Sequence, residues 1–417
     1  MTAGLRPSTI NDYALGIFDG PHATPTECSE GPVFLGIKNI TPDGRLDLSE
    51  IRHVTEQEFP KWTRRVTPQP GDVVFTYEAT LHRYAMIPEG FRGCLGRRVA
   101  LVRPDPRRLD SAFLLYYFLS PAWRAVMQEH VITGATVDRI PLERFPSFPV
   151  AFPPLPTQQR IASILSAYDD LIENNRRRMV LLEDAARQLY QEWFVRLRFP
   201  GREHTRFVDG VPQGWRRTTI QEFVAEGTVQ LQTGPFGTQL KASDYVEDGT
   251  PVVNVRNIGM GTIRVDKLEY VDEITVGRLS AHVLRQGDIV FARKGAVERH
   301  VLVDVSQDGW LQGSDCIRLR STSQVVPALL LSFALREPAH QEWILTQCSN
   351  KATMPSLNQD VIGRIPILLS PHALVEQFRL FAAPITEQIG TLARLSAKLR
   401  TARDLLLPRL MRGELLP

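Results

Sequence analysis

Residues 161–193 read IASILSAYDDLIENNRRRMVLLEDAARQLYQEW, and residues 378–410 read FRLFAAPITEQIGTLARLSAKLRTARDLLLPRL. In the first stretch apolar or neutral side chains fall at Ile161, Leu165, Tyr168, Ile172, Asn175, Met179, Leu182, Ala186, Leu189 and Trp193. The steps alternate four and three, the spacing of a coiled-coil seam along one helix face. In the second stretch the same steps give Phe378, Ala382, Ile385, Ile389, Leu392, Ser396, Leu399, Arg403, Leu406 and Leu410. Adding 217 to each position of the first seam yields the second. A helix with one apolar stripe has to bury it, and each stretch supplies the stripe the other needs. The pattern predicts two helices paired antiparallel about a pseudo-twofold axis, each a rod of about 50 Å at 1.5 Å per residue. Prolines sit where they cost a helix little, at Pro156 and Pro371, and Pro200-Gly201 supplies a stop. Asn175 has two readings, an amide that fixes register or a residue at the solvent edge of the seam. Arg403 is expected to snorkel outward. Leu181, Leu395 and Leu407 are partner-facing surface or local core.

Nearly the same offset, 216 to 218, extends outward from the helices. Gly71-Asp72-Val73-Val74-Phe75 recurs as Gly287-Asp288-Ile289-Val290-Phe291, and Asn39-Ile40 recurs as Asn257-Ile258. Gly134-Ala135-Thr136-Val137 resembles Lys351-Ala352-Thr353-Met354, and Pro153 and Gln159 match Pro371 and Gln377. Matches in one order at nearly one spacing mean two copies of one unit. The expected organisation is a globular domain at 1–154, a helix at 155–199, a second globular domain at 200–370, and a closing helix and tail at 371–417. Strand-like runs at 71–75, 99–102, 252–255 and 301–305 mix with helical segments at 114–127 and 328–335. They lack the regular alternation of a doubly wound sheet, so the fold class is α+β.

A chain of 417 residues has room for two to four domains. With 49 basic and 46 acidic side chains the net charge is +3, too balanced to advertise nucleic-acid binding on its own, since field strength depends on where the charges sit and not on their sum. Residues 1–155 carry 17 groups of each sign. A nucleic-acid surface would therefore have to come from local clusters. No run of about 18 apolar residues occurs, and the first residues lack the apolar core of a signal peptide. Cys28, Cys94, Cys316 and Cys348 form no CxxC pair, which argues against a cysteine-built zinc site and suits thiols in a reducing cytoplasm. No metal site is expected.

The local clusters that could form a nucleic-acid surface lie in loops beside strands. In the second copy Thr233-Gly234-Pro235-Phe236-Gly237-Thr238-Gln239-Leu240-Lys241 has two glycines that let a backbone approach a ligand, and Thr238, Gln239 and Lys241 can donate to phosphate. The bland reading of that loop is a turn with a buried Phe236. Arg293 and Lys294 follow a strand and precede Gly295, and Arg256 lies nearby in sequence. In the first copy the comparable loop holds Tyr77 and Arg83, with Arg64 and Arg65 upstream. Catalytic patterns are absent: no GxGxxG after a strand, no HExxH, no GxSxG, and no Lys two positions after an acid.

These motifs resemble the specificity subunit of type I restriction–modification enzymes. The likeness rests on the repeated Gly-Asp-apolar-apolar-Phe, on Gly234-Pro235-Phe236-Gly237, on Gly134-Ala135-Thr136-Val137, on Leu155-Pro156-Thr157-Gln158-Gln159-Arg160-Ile161, and on the closing Leu410-Met411-Arg412-Gly413-Glu414-Leu415. The first copy has Asp19-Gly20-Pro21-His22 in place of Gly-Pro-Phe-Gly. The resemblance implies a non-catalytic reader of double-stranded DNA. Two target recognition domains each read half of a bipartite asymmetric site, and the helices fix the spacer and dock two modification (methyltransferase) subunits. Restriction subunits that translocate and cut DNA would join them. No cofactor is implied on this chain; S-adenosylmethionine, ATP and Mg belong to the partners. An alternative of another class is a coiled-coil adaptor that assembles proteins without reading DNA, and a third is a DNA reader serving a different phage-defence complex.

Overall fold

The computed structural model describes residues 8–26, 28–133, 137–237, 239–265, 267–348 and 355–415. The chain divides into two compact units, one made of Met1–Asn175 with Leu395–Pro417 and the other of Arg176–Arg394. The division passes through both long helices.

The first unit is built on β1 (Ala14–Asp19), β2 (Cys28–Leu35), β3 (Arg52–His53), β4 (Val73–Thr76), β5 (Tyr84–Met86), β6 (Gly93–Leu95) and β7 (Val99–Pro104). An antiparallel sheet runs β1-β7-β4-β5, and a second runs β3-β2-β6, with β2 and β6 parallel. Both faces of β4 are covered, which is why it reads as an unbroken apolar run. Val73 and Phe75 pack with α1 (Ser111–Leu119) and α2 (Pro121–His130), while Val74 packs toward Leu35 and Leu95 of the smaller sheet. Asp110 and Ser120 cap the two helices by accepting from Phe113 N–H and Trp123 N–H.

The second unit repeats this plan with β8 (Val229–Thr233), β9 (Tyr245–Val246), β10 (Thr250–Val253), β11 (Glu269–Val271), β12 (Ile289–Ala292), β13 (His300–Leu302), β14 (Leu311–Gln312) and β15 (Cys316–Ser321). The order β8-β15-β12-β13 matches the first sheet, and β9-β11-β10-β14 keeps the one parallel pair, β10 with β14. Ile289 and Phe291 face one cluster and Val290 and Ala292 the other. Two helices follow, α4 (Ala328–Leu335) and α5 (Pro338–Cys348); with the long helices α3 (Leu155–Tyr190) and α6 (His372–Met411) they complete the expected α+β architecture.

The repeated motifs have physical reasons. Gly71 and Gly287 both adopt left-handed backbone, with φ of 86° and 88°. Asp72 and Asp288 are buried, and each grips one arginine at both oxygens: Arg103 at 2.8 and 2.7 Å, Arg320 at 2.7 and 2.6 Å. Each aspartate also accepts a backbone N–H, from Gln69 or Arg285, at 2.8 Å. Asn39 and Asn257 are buried amides that close a turn on the backbone N–H three residues earlier. Of the glutamines opening the first helix, Gln158 is the buried one, bonded to the backbone of Asp110, Arg108 and Pro153, and Gln159 is exposed.

Each unit contains part of both long helices. In the first, Ile161, Ala162 and Leu165 share a core with Leu407 and Leu410, and Asn175 Nδ2 donates to Ser396 Oγ at 3.3 Å. The order of these contacts makes the pair antiparallel. In the second, Ala186, Tyr190 and Phe194 share a core with Phe378 and Ala382. Ile172, Leu392 and Leu410 are buried, and Tyr168, Met179, Leu182, Leu189, Trp193, Ile385, Ile389, Leu399 and Leu406 are partly buried. At the end of the first helix the buried positions are Tyr190 and Phe194 and not Leu189 and Trp193, and a π-helical turn occupies Gln191–Val195.

Asn175 is buried, which selects the register-fixing reading over the solvent edge. Leu407 is core, whereas Leu181 and Leu395 are exposed. Arg403 corrects the expectation: it does not snorkel outward but lies 14% exposed against Asp169 and Asp404. Asp169 also accepts from Tyr116 Oη at 2.6 Å. Burial works against the charge on Arg403, yet the two carboxylates outweigh it and hold its pKa above the usual value. An apolar stem alone would favour the surface; a carboxylate on the facing helix makes the inward position favourable.

Candidate nucleic-acid interface

In the second unit the Gly234 loop and the Arg293 loop meet. The Gly234 N–H donates to Cys316 O at 2.9 Å, and a Cβ on Gly234 would lie 1.9 Å from Gly313 O, so no other residue fits this approach. That seats Phe236 outward, 52% exposed, which corrects the reading of a buried ring. The Arg293 guanidinium lies over it, 4.8 Å from the ring centroid. Among the described residues this guanidinium makes no hydrogen bond or ion pair. Its backbone is fixed on both sides: the Arg293 N–H donates to Asp315 O at 2.9 Å, and the Leu357 N–H donates to Arg293 O at 2.8 Å. Lys294, next along, pairs with Asp315 at 3.0 Å.

Gln239 stays on its own loop, where its Oε1 accepts from the Phe236 N–H at 3.1 Å. Lys241 is exposed at the start of a short turn, its N–H donating to Asp244, which also pairs with Arg278 at 2.9 Å. Arg256 is exposed and paired with Glu269 at 2.8 Å on the smaller sheet. Thr238 lies outside the described residues, as do Gly134, Ala135, Thr136 and Lys351–Met354.

The first unit builds the same frame. The Gly20 N–H donates to Val99 O at 3.0 Å, and a Cβ there would lie 2.5 Å from Gly96 O. The Tyr77 N–H donates to Arg98 O at 3.2 Å, and the Ile140 N–H donates to Tyr77 O at 2.7 Å. Each partner sits 214–217 positions before its counterpart, so Tyr77 occupies the place of Arg293 and His22 that of Phe236. His22 Nε2 and Tyr77 Oη are 3.1 Å apart. Tyr77 is only 5% exposed; burial, with a smaller push from Asp19, raises its phenol to about 12. Asp19 pairs with Arg65 and lies 3.4 Å from His22. Arg64 is exposed, and Arg83 is half-buried with its carbonyl accepting from the Thr76 N–H at 3.1 Å.

The ion pair beside the frame is inverted between the units. Glu78 faces Arg98 at 3.3 Å in the first, where Lys294 faces Asp315 in the second. Even the backbone agrees: Ala79, at φ 69°, stands where the second unit has Gly295 at φ 77°. Sequence reasoning missed His22, Asp19, Glu78 and Asp315. The signal available was the offset itself, applied to Asp19-Gly20-Pro21-His22.

The two units thus share one backbone frame that carries different side chains at the same two positions. Residues 40–183 match the model of the type I restriction modification DNA specificity domain. The chain is similar to type I specificity subunits. The MjaIX specificity subunit of Methanocaldococcus jannaschii is 22% identical over 374 residues, 87% of this chain and 82% of that protein. The MjaVIII specificity subunit of the same organism is 24% identical over 227 residues, 52% and 50% of the two chains. The crystal structure of a type I restriction–modification S subunit from M. genitalium has a TM-score of 0.59 at 16% identity, covering 98% of this chain and 96% of that one, which is a likeness of fold. No helix among the described residues is long and apolar enough to cross a membrane, and no group of His, Cys, Asp or Glu among them is placed to hold a metal.

Proposed function

We propose that this chain is the DNA-sequence specificity subunit of a type I restriction–modification complex. Each unit is a target recognition domain that reads one half of a bipartite site in double-stranded DNA. The observation that carries this reading is the frame built twice from equivalent backbone bonds, with His22 and Tyr77 in one copy and Phe236 and Arg293 in the other. The chain recognises without catalysing. The long helices set the spacer and dock two modification subunits, which supply S-adenosylmethionine chemistry, and restriction subunits with ATP and Mg complete the complex in the cytoplasm. Exposed apolar side chains on the helices, Leu181 and Leu395 among them, suit such docking. Net charge near zero fits a reader whose partners add phosphate affinity.

The test is selection from a randomised duplex library by the chain co-purified with type I modification subunits co-expressed from its host. A bipartite motif with a fixed gap, and affinity that falls with salt, is the expected result. Assembly of partner proteins with no enriched motif would replace this reading with that of a coiled-coil adaptor.

A further inference from the structure

The two frames differ where a base edge would meet them, and the difference has chemical content. In the second unit a guanidinium rests on the exposed face of Phe236, and the main chain that carries it is fixed by hydrogen bonds at the Arg293 N–H and C=O. A planar fork held against a ring loses little further freedom on binding, and its N–H edges match the O6 and N7 acceptors of guanine in the major groove. Lys294 beside it is 52% exposed and can lie against a phosphate while Asp315 holds its position. In the first unit, Tyr77 and His22 are already joined by one hydrogen bond, and the phenol stays protonated. Tyr77 is almost fully buried and His22 is 53% exposed, so the outward group is an imidazole backed by the phenol, a single donor or acceptor in place of a fork. The neighbouring position carries Glu78, which disfavours a phosphate where Lys294 would attract one.

We propose that the position pairs 22/77 and 236/293 are the specificity-determining elements of the two units, and that Arg293, set by Phe236, reads a guanine in the half-site of the second unit only. This rests on the reading of the chain as a DNA specificity subunit. It goes further by assigning a base to a residue and by deriving the asymmetry of the target from the inequality of two equivalent frames.

The experiment is library selection with the full chain in its complex, comparing wild type with Arg293→Lys, Arg293→Gln and Phe236→Ala. Thermal unfolding and co-purification of the partners verify that each variant is folded and assembled. Wild type is expected to enrich a motif with a guanine in one half. Arg293→Gln should lose roughly 10- to 100-fold of the preference at that guanine and leave the other half unchanged. Arg293→Lys keeps the charge and loses the fork, so it should retain affinity and lose discrimination. Phe236→Ala should weaken the same position by less. A wild-type motif that persists unchanged in both folded Arg293 variants overturns this inference and leaves the DNA reading intact. A wild type that enriches no motif overturns both. The converse variant, His22→Phe with Tyr77→Arg, should gain a guanine preference in the other half-site.

Discussion

His300 gives the second unit an acid limit that can be measured. Its imidazole is fully buried at the start of β13, with Nε2 3.2 Å from Ser332 O and 3.3 Å from Ser332 Oγ. Nε2 therefore carries the proton and donates, and Nδ1 has no hydrogen-bond partner among the described residues. Burial, reinforced by the nearby Arg336 guanidinium, pushes its pKa down to about 3. In an unfolded chain the ring titrates near 6.5, as an unperturbed histidine does. Between those values the unfolded state binds the proton and the folded state does not, so stability falls as pH drops. The slope approaches roughly 1.4 kcal/mol per pH unit, and the loss between pH 7.5 and 5.0 comes to about 2 kcal/mol. His300→Gln keeps a donor near Ser332 and removes the titration. The assay is hydrogen exchange of the amides in β12 and β13 for both proteins at both pH values, with intrinsic exchange corrected, since a two-unit chain does not report one unfolding free energy. Wild type should lose about 2 kcal/mol more than the variant on acidification. Equal losses in the two proteins would refute the argument that this histidine is held neutral by its surroundings.

The Asp288–Arg320 grip should give a coupling energy of about 2 kcal/mol in a double-mutant cycle with Asp288→Ala and Arg320→Met, because each single change strands a largely buried charge. The Asp72–Arg103 cycle should agree within about 1 kcal/mol, read by the same exchange method on the first unit. Arg403→Ala leaves Asp169 with Tyr116 alone and should destabilise the first unit by roughly 2–4 kcal/mol, whereas Arg400→Ala on the exposed face of the same helix should shift its unfolding by less than about 0.5 kcal/mol.

The architecture was legible where a local rule repeats. A 4-3 spacing and a constant offset revealed the long helices and the duplicated unit, because helix periodicity and backbone-determined motifs such as Gly71-Asp72 leave the same residues at the same places. The interface was legible only in part. Arg293 and Lys294 could be chosen from their position after a strand, but their partners could not. Phe236 and Asp315 reach them from loops beside two other strands, and nothing in a linear pattern records that meeting. The inversion of Glu78–Arg98 into Lys294–Asp315 is harder still, since a repeat search rewards likeness and this site is defined by a change of sign. Arg403 was misjudged for a related reason: its outcome depended on Asp169, more than 200 residues away in the chain.

The first unit is assembled from two segments far apart in the chain, and the second from the uninterrupted stretch between them. The ribosome therefore finishes the later unit first. After Asn175 has emerged, some 220 more residues must be made before Leu395–Pro417 can cover the face of Ile161 and Leu165, a wait on the order of 10–40 s at cellular elongation rates. Throughout that interval a nascent chain displays an uncovered apolar stripe. Chaperone occupancy during translation should therefore centre on residues 155–175 and fall once residues 395–417 have emerged.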